Sequence, residues 1–78
     1  MLFLIEYDRR RGQIISFRSF ASSQVAVAQE ARLALELSLN REGVHREVVV
    51  LEAHDEETLR RSHRRYFENL KELAEPPA

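Results

Sequence analysis

The chain contains no cysteine. Disulfide staples and thiolate metal sites are therefore excluded, and the absence points toward the cytoplasm. It has no tryptophan and only two glycines, so no glycine-rich phosphate cradle can be built. No apolar run is long enough to cross a bilayer: Val25 to Leu39 is interrupted by Gln29, Glu30, Arg32 and Glu36. The opening MLFLIEYDRRR is apolar first and basic second, the reverse of a secretory leader. Neither sign of charge dominates, the formal net charge being -1. A domain that lives by gripping phosphates is usually clearly basic, so this balance argues against that class. Lysine is almost missing: Lys71 is the one basic residue that is not arginine. That bias points to a GC-rich bacterial coding sequence as much as to function.

What is present fits one small domain. At 78 residues, a chain buries only about 60–65% of the surface it exposes when unfolded. Such domains often lean on disulfides, metals or self-association. Leu2 to Tyr7 (LFLIEY) reads as a strand that is apolar on both faces, Leu2 and Leu4 on one, Phe3, Ile5 and Tyr7 on the other. A strand of that kind belongs at the centre of a sheet. The DRRRG that follows reads as a hairpin loop, with Gly12 at a position needing positive φ. Gln13 to Phe20 forms the second strand, with Ile15 and Phe17 expected on one face and Ile14, Ser16 and Arg18 on the other.

Ser22 and Ser23 are N-cap candidates for a long helix ending near Arg41 or Glu42, and Gly43 suits its left-handed C-terminal cap. Glu47 to Ala53 is a third strand, β-branched at its centre. Asp55 is placed to cap a second helix, with Glu56 and Glu57 in its first turn, where the helix dipole favours acids. That helix is predicted to run to Leu73 or Ala74 within a domain of residues 1–74, followed by a flexible tail over residues 75–78.

The order β-β-α-β-α implies an α+β fold. A right-handed crossover places the third strand beyond the first, in sheet order 2-1-3. Both helices are expected on one face of the sheet. The other face then keeps apolar residues such as Phe3 and Ile5 uncovered, which argues for a second copy or another protein.

The segment Arg60 to Phe67 (RRSHRRYF) looks like a nucleic-acid grip until it is wound into a helix. Leu59, Tyr66, Phe67, Leu70, Leu73 and Ala74 then share one stripe, and Arg60, Arg61, Arg64 and Arg65 the opposite side. Glu56, Glu57 and Glu68 stand three or four residues from those arginines, the spacing of a solvated, ion-paired face. His63 falls within the apolar stripe and reads as a core or interface histidine with one hydrogen-bond partner, ahead of a pH-sensitive role. His45 and His54 have no spacing that makes a metal site with it.

Two surface features remain. Arg9, Arg10 and Arg11 crowd the hairpin tip with Asp8 alone to offset them, and Arg18 extends this candidate nucleic-acid contact along the second strand. A solubilising loop that blunts edge pairing is the competing reading, and the preferred one. On the long helix, Val27, Ala28, Ala31, Ala34, Leu35 and Leu39 form the expected core stripe. Ala26, Leu33 and Leu37 lie nearly opposite, rimmed by Gln29, Glu30, Asn40 and Arg41. Exposed leucines on a helix surface are common; the alternative, equally weighted, is an interface patch for self-association or a partner. Catalysis has little to stand on. Glu6 and Glu52 alone are placed to meet on neighbouring strands as an acid–base pair.

These observations predict a protein that is not an enzyme and needs no cofactor or metal. They favour a homodimer or another protein contact through Ala26, Leu33, Leu37, Phe3 and Ile5. The alternative is a nucleic-acid module using Arg9, Arg10, Arg11 and Arg18.

Overall fold

A computed structural model describes residues 1–67 of the 78. The predicted end of the second helix at Leu73 or Ala74, the domain boundary there and the tail over 75–78 lie outside the described residues.

Three strands, β1 (Leu2–Asp8), β2 (Gln13–Phe20) and β3 (Glu47–Glu52), form one sheet of order β2-β1-β3. β1 pairs antiparallel with both neighbours, matching Leu4 to Arg18 on one side and to Val50 on the other. The expected α+β fold and strand order are thus observed. The central place of β1 follows from its two-sided apolar sequence: Leu2 through Tyr7 are all buried.

The β1–β2 turn is held by its first residue. Asp8 Oδ1 accepts from the backbone amides of Arg10 (3.0 Å) and Arg11 (3.1 Å), and Gly12 donates to the Asp8 carbonyl at 2.8 Å. Gly12 sits at φ 65°, where a β-carbon is disfavoured. Beyond the turn the register slips, because Tyr7 faces Ile14 but Glu6 faces Ser16. Ile15 is therefore the extra residue of a β-bulge. The bulge changes the expected alternation: Ile14 joins Phe17 in one apolar cluster, and Ile15 is left exposed.

Helix α1 (Val25–Glu42) ends as its sequence implies, with Gly43 at φ 68° and the Val44 amide donating to the Leu39 carbonyl at 2.9 Å. Its start differs from expectation. Gln24, not Ser22 or Ser23, is the N-cap, and its side chain accepts from the Ala21 amide. Ser22 is engaged by the Met1 amino group instead. The sheet-facing stripe also differs in part. Ala28, Ala31, Leu35 and Leu39 turn inward, but Val27 and Ala34 are exposed.

Helix α2 (Glu56–Ser62) is capped by Asp55, whose carboxylate accepts from the Thr58 amide at 2.7 Å. It is far shorter than predicted. The chain leaves helical geometry at His63 (φ −128°, ψ 52°) and continues as a 3-10 turn, Arg64–Tyr66. The Ser62 hydroxyl donates back to the Thr58 and Leu59 carbonyls, and the Leu59 carbonyl also takes the His63 amide at 2.9 Å, the last bond of the helix. The break seats Tyr66 edge-on against Tyr7, ring centroids 5.0 Å apart, and lays Phe67 against Phe17.

The two helices lie on opposite faces of the sheet, which corrects the expectation of one shared face. α1 packs through Ala28 and Ala31 on Leu2, Leu4, Phe20, Val48 and Val50. α2 and the 3-10 turn pack through Leu59 and Tyr66 on Phe3, Ile5, Tyr7, Val49 and Leu51. The handedness rule constrains the β2–α1–β3 crossover, but among the described residues no strand follows α2 to fix its side. The side is chosen by burial, since β1 is apolar both ways and each face gains by being covered.

Candidate protein-contact face

That coverage settles one predicted contact. Phe3 and Ile5 are 1% and 0% exposed beneath α2, so they serve the core and not a partner. The remaining contact candidates belong to α1. Because one stripe of α1 faces the sheet, its back faces outward. Leu33 is 54% exposed and Leu37 50%, with Ala26, Val27 and Ala34 exposed beside them. Leu33 and Leu37 are one helical turn apart, and Ala26 and Ala34 extend the same ridge.

Charge on this helix is divided. Arg32 is occupied, donating to Gln29 at 2.8 Å and pairing with Glu36 at 3.5 Å. Glu30 and Arg41 flank the leucine ridge, and neither side chain has a hydrogen bond or ion pair among the described residues. Near the C-terminal end of α1 a recess of about 300 Å³ opens toward β3, with Glu36, Asn40, His45 and Arg46 on its wall.

The arginine hairpin is presented separately. Arg9, Arg10 and Arg11 are exposed on the turn, and Arg11 reaches Asp8 at 3.7 Å. Arg18 does not extend this patch. It faces Leu4 in the ladder, five residues from Gln13, which is roughly 16 Å along a strand. Its guanidinium lies over the Phe20 ring, 5.0 Å from the centroid.

Arg65 and Glu47 make a contact that sequence spacing hides. Glu47 Oε1 accepts from Arg65 Nη2 at 2.8 Å and from the Tyr66 hydroxyl at 3.0 Å, and the Tyr7 hydroxyl donates to the Arg65 carbonyl at 3.1 Å. Burial pushes the Glu47 carboxyl up, but the hydrogen bonds from Arg65 and Tyr66 and the charges of Arg65 and Arg9 outweigh it. The net pKa lies below the ordinary glutamate value. The Tyr66 phenol is raised by its burial and by Glu47. This cluster ties the 3-10 turn to the sheet. No periodicity announces it, since its members come from three separate elements.

The other arginines of the Arg60–Phe67 segment are largely engaged. Arg60 pairs with Glu56 at 3.6 Å and Arg61 with Glu57 at 2.6 Å, as the four-residue spacing implied. The expected partner Glu68 lies outside the described residues. The aromatics behave differently from the helical-wheel expectation. Because the helix breaks, Arg60 lies over Phe67 and Arg65 over Tyr66, at 4.6 and 4.2 Å from the ring centroids. His63 is half-buried, with Nδ1 2.9 Å from the Ser62 hydroxyl.

Glu6 and Glu52 do not meet. Glu6 faces Val48 and Glu52 faces Leu2, four ladder positions apart, or roughly 13 Å. Glu6 is buried and takes hydrogen bonds from Ser16 and from Arg46, which lies 40 residues away in sequence. That is a structural ion pair across the sheet end, not an acid–base couple. Among the described residues no cluster of three or more His, Asp or Glu side chains stands ready to hold a metal ion. No described helix is long and apolar enough to cross a membrane. No family model, curated protein or solved structure matches the chain.

Proposed function

We propose that this protein acts by protein–protein contact, as a homodimerising interaction module of the cytoplasm whose contact surface is the outer face of α1. The observation that carries the reading is the ridge of Leu33 and Leu37, each about half exposed on a helix whose opposite stripe already covers the sheet. The reading requires no catalytic group and no cofactor. Burying a leucine completely is worth roughly 1.5–3 kcal/mol, and association itself costs an estimated 4–15 kcal/mol. A contact centred on two half-exposed leucines per protomer is therefore weak. Sedimentation velocity over a hundredfold concentration range tests it. The sedimentation coefficient should rise with concentration, and Leu33→Glu with Leu37→Glu should remove the rise. A strictly monomeric chain at the highest concentration would overturn the proposal.

A nucleic-acid module is the second reading. It rests on Arg9 and Arg10, exposed side by side on a turn closed by hydrogen bonds to Asp8. Fluorescence anisotropy with labelled RNA and DNA at two salt concentrations decides it. Phosphate contact predicts an affinity falling about 0.9 log units per log salt for each contact on duplex DNA, and loss on changing Arg9, Arg10 and Arg11 to Gln.

A further inference from the structure

The outer face of α1 carries a pattern that selects its own partner. Read along the ridge, it runs Glu30, Leu33, Ala34, Leu37, Arg41, with spacings of three and four residues that keep all five on one side of the helix. An acid stands at one end, a base at the other, and apolar residues between. The order is close to its own complement when reversed. Turned end for end, a second α1 brings its Arg41 over Glu30 and its Glu30 over Arg41, with Leu33 and Leu37 of each chain meeting at the centre. Ala34 lies between the leucines, a small residue that permits close approach of two helices at about 8–10 Å.

Within one chain the two charges cannot satisfy each other. Eleven residues of helix separate them by roughly 16 Å. Neither is taken by another group among the described residues, whereas the neighbouring Arg32 is held by Gln29 and Glu36. A parallel pairing is disfavoured, because it sets Glu30 against Glu30 and Arg41 against Arg41. We infer that the occupant of this face is a second copy of the chain, docked antiparallel about a two-fold axis near residue 35, with reciprocal Glu30–Arg41 pairs fixing the register. This rests on the proposed homodimer and adds its orientation. A two-fold contact uses the same patch on both subunits, which is what a self-complementary ridge provides.

Charge reversal in the full-length chain tests the orientation apart from the dimer itself. Glu30→Arg alone, and Arg41→Glu alone, each convert two attractive contacts into two repulsive ones. Each should weaken self-association by about tenfold at low salt, an amount reasonable for two rim pairs in a weak interface. Combining both reversals in one chain should restore association to within about threefold of the original. An equimolar mixture of the two single variants should form a mixed dimer more readily than either self-associates. Circular dichroism identifies any variant whose helix content has changed, and Glu30→Gln and Arg41→Gln then replace it, with a smaller loss expected. If the single reversals leave association unchanged while Leu33→Glu with Leu37→Glu abolishes it, the antiparallel register is wrong and the contact face stands. If the unaltered chain never associates, both the register and the homodimer fall.

Discussion

Leu59 is where the second layer of this protein can be tested. Its side chain is 0% exposed, packed in the cluster of Phe3, Ile5, Tyr7 and Tyr66, and it is the one buried residue of α2. Leu59→Ala removes three carbons from a site that α2, pinned at its start by Asp55, can close only in part. Fully buried leucines truncated this way cost about 2.7–5.0 kcal/mol, the spread reflecting how far the cavity collapses. A loss of about 3 kcal/mol is expected here, since a seven-residue helix can shift somewhat toward the sheet. A chain of this length has a total stability of only about 4–12 kcal/mol. The melting temperature should fall by about 12–24 °C, taking roughly 4–8 °C per kcal/mol for a domain this small. Urea unfolding followed by circular dichroism gives the free energy directly, with Leu33→Ala as the surface control expected to change stability by no more than about 0.5 kcal/mol. A loss below about 1 kcal/mol for Leu59→Ala would be too small for a leucine sealed in a core. It would mean that α2 does not seal this face, and Phe3 and Ile5 would return as candidates for a partner surface.

Three further outcomes are expected. Arg46→Met leaves the buried Glu6 carboxylate with Ser16 alone, and should cost about 2 kcal/mol in urea unfolding, less than a fully enclosed pair because Arg46 is partly solvated; equal stability of the variant would show that the pair contributes nothing. Glu47 binds its proton less readily folded than unfolded, so its contribution is complete above the ordinary glutamate range and is lost as pH falls through the lowered folded value. Acid unfolding monitored below about pH 5 should therefore be shallower in Glu47→Gln than in the unaltered chain, and identical slopes would remove Glu47 from the account. Gly43→Ala should destabilise by about 1 kcal/mol, although nothing lies within 4 Å of the added carbon, because the φ of 68° itself opposes a side chain; a neutral result would show that the cap relaxes out of that conformation.

Features that depend on neighbours in the chain were legible before any folding was considered. The two-sided apolar run Leu2–Tyr7 required a central strand. Gly12 and Gly43 marked the positions of positive φ, and Asp55 marked a helix start, because caps and turns are satisfied within a few residues. Strand order followed from connection handedness. The exposed pair Leu33 and Leu37 was legible too, since their place on the helix relative to the core stripe is a matter of periodicity. Other features arise only when distant segments meet. The bulge at Ile15 reassigned one face of β2, an offset of a single residue that alternating patterns cannot register. The break at His63 was hidden because a wheel drawn through Arg60–Phe67 assumes the helix it tests. Glu6 with Arg46, and Glu47 with Arg65, are joined across 40 and 18 residues, beyond the reach of any local spacing rule. Which face α2 covers was settled by the competition for apolar surface once the sheet had formed, and that choice moved Phe3 and Ile5 from surface to core while Leu33 and Leu37 on the outer face of α1 stayed exposed.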